Sequence, residues 1–121
     1  MVDRVQRLAE KAGIGVVDRI GVLLIRTDDA PVFIQACAAH HHAIVGIDGF
    51  DLNADGSITP RNDAILDASE CLSLDWAACL EKTALAARNF IAAIAALEVT
   101  HLEFVLMSEG EARTAAAAEP K

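Results

Sequence analysis

Asp51, Asn53 and Asp55 stand two residues apart, with Gly56 next and Ile58 after it. Oxygen side chains at this spacing, closed by a glycine, are how the first eight positions of an EF-hand calcium loop run. Calcium chemistry needs more than that: a helix on each side, and a bidentate glutamate at the twelfth position to complete the oxygen shell. Here the twelfth position is Asn62, the tenth is Pro60, and Asp63 comes one residue late for the missing ligand. Asn, Asp and Gly also suit a tight turn between strands, because they tolerate positive φ and bond their own backbone. Residues 51–62 therefore predict a hairpin turn in preference to a calcium site.

A second set of candidate ligands is Cys37 with the triple histidine His40–His42. On a helix Cys37 and His41 share one face, and His40 lies within reach of Cys37, so two ligands could converge on zinc. A third would have to come from His101, Cys71 or Cys79, for which no spacing rule applies. The preferred reading is a polar helix end whose histidines meet the negative end of the dipole. Enzyme signatures are missing: the chain has no G-x-S-x-G elbow, phosphate loop, H-E-x-x-H or tyrosine. Cys37 and His41 as thiol and base lack the papain and caspase patterns, and pairs such as Asp48 with Asp51 or Asp63 with Asp67 occur on most acidic surfaces. No catalytic residue, metal or cofactor is assigned, and the expectation is a protein that is not an enzyme.

The carboxylates say more as a group. Eighteen acidic against ten basic residues give a net charge of −8, which disfavours nucleic acid and anionic membrane and favours a basic protein partner. Asp48, Asp51, Asp55, Asp63, Asp67, Glu70 and Asp75 crowd one stretch in which Arg61 is the only base. These seven are the candidate partner-binding residues. The competing reading is a solvated acidic face that maintains solubility.

The elements that must position them follow from periodicity. Val2, Val5, Leu8, Ala9 and Ala12 mark a helix over residues 2–12, ended by Gly13 and Gly15. "IGVLLI", residues 20–25, predicts a strand, and the aspartates before Pro31 open a helix over about 30–41. "AIVGIDGFDL" predicts a strand in which Gly46 and Gly49 mark a bulge or a close backbone approach. The turn "NADG" and "SIT" complete a hairpin, and residues 61–72 are expected to be a loop with one turn of helix. A long helix runs from a Ser73 cap, with Trp76, Leu80, Ala84, Ala87, Ile91, Ile94 and Leu97 on one face. "HLEFVLM", residues 101–107, is a last strand and a candidate sheet edge. The expected fold is α+β: a mainly antiparallel sheet of about four strands in the order αβαββαβ, as in a ferredoxin-like split βαβ, in one domain over 1–108 with a flexible tail at 109–121.

At 121 residues and 54% hydrophobic, one such domain can bury its own core without disulfides. The apolar stretches are too short to span a bilayer, the first residues are charged where a signal peptide is apolar, and three cysteines do not make a disulfide framework. A cytoplasmic location is expected.

One stretch resembles known proteins. "IVGIDGFDLNADGSITPRNDAILDAS", residues 44–69, is similar to a pattern in small bacterial proteins in which a G-I-[ED]-G-F strand leads through a hairpin to a proline and an aspartate-rich D-x-I-x-D-x-S segment. That pattern resembles the immunity partners of polymorphic and contact-dependent growth-inhibition toxins. The resemblance implies a small non-catalytic toxin inhibitor whose carboxylates meet a basic, nuclease-type toxin domain. A metal-binding regulatory module and an acidic accessory interaction domain are the alternatives.

Overall fold

A computed structural model gives the fold and describes residues 3–73 and 75–118. Helix α1 (Arg4–Ala12) begins where the Asp3 carboxylate accepts the Val5 N–H at 2.8 Å. It stops at Gly13, whose φ of 75° turns the chain so that the Gly13 and Ile14 N–H groups bond back to Glu10 and Ala9. Strands β1 (Val17–Arg19) and β2 (Val22–Arg26) form a hairpin, and a 3-10 turn at Thr27–Asp29 leads into α2 (Ala30–Ala39). Strands β3 (Ala43–Leu52) and β4 (Ile58–Asp67) form a second hairpin, and a 3-10 turn at Ser69–Ser73 follows. Helix α3 (Trp76–Ile94), strand β5 (His101–Met107) and helix α4 (Glu109–Ala118) complete the chain.

The five strands make one antiparallel sheet in the order β1-β2-β5-β3-β4. β2 and β3 run parallel with β5 between them, and β4 and β5 run parallel with β3 between them, so α2 and α3 each close a split β-α-β crossover. Helices α1, α2 and α3 cover one face, where Phe33 and Ile34 of α2 and Ala87 and Ile94 of α3 meet Ile25, Ile44, Ile47, Leu102 and Phe104. The Phe33 and Phe104 rings sit 4.8 Å apart and tilted by 59° at the centre of this layer. Each large aliphatic or aromatic side chain among them stabilises by roughly 2 kcal/mol on burial, so this face accounts for most of what opposes chain entropy.

Both glycine irregularities expected in β3 are present. Val45 is the extra residue between Ile44 and Gly46, and the ladder shifts again between Asp48 and Gly49. At the first shift the Ile44 N–H is taken by the buried Thr83 hydroxyl of α3 at 3.3 Å. That bond satisfies a donor lost from the ladder and ties helix to sheet. At the second, β4 comes so close that a Cβ on Gly49 would stand 2.7 Å from the Ala64 Cβ.

Several expectations are corrected. The sheet has five strands, because β1 precedes the run read as a single strand. The central pair is β5 and β3, the last and second of the four strands after β1, where a ferredoxin-like sheet centres on the first and third. β5 is thus the middle strand, and β1 and β4 are the edges. Residues 61–67 are strand and not loop; their period-2 pattern is broken by Asn62, Asp63 and Ala64, which have no partner in β3. Helix α2 ends at Ala39 because His41 adopts a left-handed φ of 59°. Helix α3 is capped by Asp75, whose carboxylate accepts the Ala78 N–H at 2.9 Å, and not by Ser73. The tail expected from residue 109 is instead α4, opened by a reciprocal Ser108–Glu111 cap and held by a bidentate Glu111–Arg4 ion pair, with Ala112 buried.

β1 was hidden by its turn. Ile20 and Gly21 join β1 to β2 with φ of 55° and 81°, a two-residue turn with both centres left-handed. Asn-Gly suits that turn, whereas a β-branched residue is strained there, and Ile20 is 100% exposed with nothing to offset the strain. Ile20→Asn is expected to stabilise the fold by about 1 kcal/mol, read as a higher midpoint in urea unfolding.

Candidate functional site on the open sheet face

Alternation along β5 sends Leu102, Phe104 and Leu106 into the helical core and His101, Glu103 and Val105 to the other face. Register adds the partners: Asp48 of β3 lies directly opposite Glu103, Ile65 of β4 lies opposite Asp48, and Asp67 lies opposite Gly46. One end of this face is covered by a small cluster in which Trp76 and Leu80 pack with Ala43, Val45 and Met107. At the other end Arg19 of β1 donates to the Gly56 carbonyl at 3.0 Å, bringing the first strand against the β3–β4 turn. Between them Ile65 and Val105 are 56% and 45% exposed, so among the described residues the middle of this face is open.

Asp48 and Glu103 form the centre of this patch. Side chains directly opposite on antiparallel strands have Cβ atoms about 5 Å apart, and like charges placed so are destabilising. Among the described residues neither carboxylate has a hydrogen bond or an ion pair to offset that cost. Burial, together with the Asp48 charge, pushes the Glu103 carboxyl above the ordinary glutamate range.

The sign of the stability effect follows from that direction. A carboxyl raised on folding holds its proton more tightly in the native state, so its favourable contribution is present at low pH. It is lost as pH rises through the unfolded value toward the folded one. Glu103→Gln is expected to match the parent below about pH 4 and to exceed it at neutral pH. Urea unfolding at the two pH values measures this, and equal midpoints at both would show that the pair carries no repulsion.

The seven carboxylates singled out from the sequence do not share one surface. Asp48 and Asp67 lie on the open face. Asp51 and Asp63 lie on the helix side, where Arg61 reaches both at 3.1 and 2.9 Å and donates to the Leu97 carbonyl at 3.1 Å. Arg61 holds the Asp63 carboxyl below its usual range, and the two carboxylates raise the guanidinium in turn. Asp75 caps the far end of α3, a helix about 28 Å long. Asp67 accepts from the Ser69 N–H and hydroxyl at 3.0 and 2.6 Å, which lowers its pKa. Glu70 lies in the 3-10 turn that follows. Glu103 was missed, although a lone acid in the otherwise apolar "LEFVLM" is a legible signal.

The calcium-like loop is a hairpin turn whose oxygens are already engaged. Asp55 accepts the Ser57 N–H and hydroxyl at 2.9 and 2.6 Å, which lowers its pKa. The Asn53 amide donates to the Ser57 and Thr59 hydroxyls, and Gly56 supplies a φ of 88°. Asp51 is bound to Arg61. Cys37 is fully buried, with its thiol pushed up to about 12 by desolvation, while His41 lies beyond the helix end, so the two do not share a helical face. Among the described residues no three His, Cys, Asp or Glu side chains converge to hold a metal ion, and no helix is long and apolar enough to cross a membrane.

The chain matches no protein-family model and no curated protein. A half-buried pair of carboxylates, unneutralised among the described residues and beside two exposed aliphatic side chains, can receive a cationic side chain and pack against its apolar surroundings.

Proposed function

We propose that this chain is a toxin-neutralising immunity protein that binds a basic, nuclease-type bacterial toxin domain through the open face of its sheet. The observation that carries the reading is the Asp48–Glu103 pair: directly opposed like charges on a half-open face, retained at a cost in stability and lacking a cation of their own among the described residues. A partner arginine or lysine between them would supply the missing countercharge, while Ile65 and Val105 supply apolar contact at the rim. The net charge of −8 steers such a partner into contact. Residues 44–69, the stretch similar to growth-inhibition immunity proteins, contribute Asp48, Ile65 and Asp67 to this face. The protein acts in the cytoplasm as a stoichiometric binder and performs no catalysis.

The decisive test is neutralisation. The toxin domain that the proposal expects to be encoded beside this chain is expressed in a sensitive host with the parent protein or with an Asp48→Lys, Glu103→Lys variant. Survival with the parent and death with the folded variant are expected. Equal protection by both would place the contact elsewhere, and absence of any toxin gene together with capture of no basic protein would remove the proposal.

A further inference from the structure

Two thiols meet at the covered end of the open face, and nothing in their chemistry depends on toxin binding. Cys71 stands in the 3-10 turn at Ser69–Ser73, and Cys79 stands in the first turn of α3, eight residues on. Both belong to the small cluster built on Ala43 and Val45, with Trp76 and Met107 beside them.

Backbone bonds hold the two elements to one point of the sheet. The Ala68 N–H donates to the Val45 carbonyl at 3.0 Å and the Cys71 N–H to the Ala68 carbonyl at 3.1 Å, so the turn carrying Cys71 is fastened at the bulged residue of β3. Cys79 arrives from α3: its N–H donates to the Asp75 carbonyl at 2.9 Å, and its side chain packs in the same cluster as Val45. Burial, and after it the Cys71 charge, pushes the Cys79 thiol up, which puts the two sulfurs within electrostatic reach of each other.

The two thiols differ in access. Cys71 is half-buried, whereas Cys79 is 1% exposed. Cys71 can therefore meet an oxidant from solvent, and Cys79 can meet only what Cys71 presents to it. The third cysteine, Cys37, is sealed in the helical core with Phe33 and Ile34 and takes no part.

We infer that Cys71 and Cys79 form a reversible disulfide, with a small-molecule disulfide such as oxidised glutathione as the oxidant. The Cys71 thiolate attacks one sulfur of glutathione disulfide, forming a mixed disulfide and releasing one glutathione thiolate. The Cys79 thiolate then attacks the Cys71 sulfur, and the second glutathione leaves. The two protein thiols lose two electrons and two protons, and glutathione disulfide takes them up as two molecules of glutathione. Cytosolic disulfides of this kind are transient and sense the thiol balance. Closing the bond ties the 3-10 turn to α3 beside Trp76.

The test holds the full chain in glutathione buffers from reduced to oxidised, and reads Trp76 fluorescence together with thiol alkylation and mass spectrometry. Expected are a mass lower by two hydrogen atoms, a Cys71–Cys79 cross-linked fragment after digestion, Cys37 as the one thiol alkylated after unfolding, and full return with dithiothreitol. Trp76 is the only tryptophan and sits in the same cluster, so its emission should change in step with the bond. In Cys79→Ala the reaction should stop with glutathione on Cys71. In Cys71→Ser, a change at a half-buried position, Cys79 should react about tenfold more slowly than Cys71 does in the parent. A mixed disulfide that persists on Cys71 in the parent overturns the proposal. So does a bond to Cys37, a bond formed only between chains, or three free thiols in the fully oxidised buffer.

Discussion

Replacing Gly49 with alanine is expected to lower stability by about 3 kcal/mol, a fall of about 10 °C in Tm for a domain of this size. The added Cβ would stand 2.7 Å from the Ala64 Cβ, 3.0 Å from the Ala64 carbonyl oxygen and 3.1 Å from a Val99 methyl. Two of these belong to β4, whose Asn62, Asp63 and Ala64 fold over Gly49, so relief requires moving backbone. Gly46 supplies the comparison. A Cβ there meets Leu66 O at 3.4 Å and Val105 Cβ at 3.7 Å, near ordinary contact, and Gly46→Ala should cost under about 1 kcal/mol. Thermal unfolding of the two variants side by side decides the matter; equal melting would mean that close approach does not set the shape of β3. The same irregularity bears on function, because it lies next to Asp48 in the strand that presents it.

Under the proposed immunity function, reversing the charge at Asp48 is expected to weaken binding of the toxin domain about a hundredfold, most of it in the off-rate, because lysine would then face a cation of that partner across a partly desolvated contact. Asp48→Asn should cost about tenfold and Glu103→Gln a similar amount, with a smaller combined loss than the sum if both hold one cation. Asp51→Asn and Asp63→Asn should change binding little, since Arg61 already neutralises part of that charge on the other side of the sheet. Glu10→Gln on α1 serves as the remote control. Association and dissociation rates measured at low and high salt test each step. The parent's on-rate should fall with ionic strength, and the Asp48→Lys on-rate should fall less. If Asp48→Lys binds like the parent while Asp51→Asn or Asp63→Asn does not, the contact belongs to the Arg61 side and the open-face assignment fails.

Local chemistry determined much of this protein from the sequence alone. The Gly13 end of α1, the apolar face of α3, the 101–107 strand and the Asn53–Gly56 turn all depend on groups a few residues apart, and all are legible in residue type and spacing. The S-x-x-E cap of α4 was equally local, though the alanines after it disguised the helix as a tail. What tertiary structure decided is which side each residue faces and what it meets there. One bulged residue in β3, Val45, changes the face of everything after it, so no count along "AIVGIDGFDL" could place Asp48 with Glu103, 55 residues away in sequence. Arg61 likewise looked like a lone base in an acidic run, yet folding sends it to the helix side with Asp51 and Asp63 and leaves the Asp48 charge uncompensated among the described residues. Periodicity reports a residue's direction only while the ladder is regular, and long-range electrostatics depends on pairings that only the assembled sheet contains.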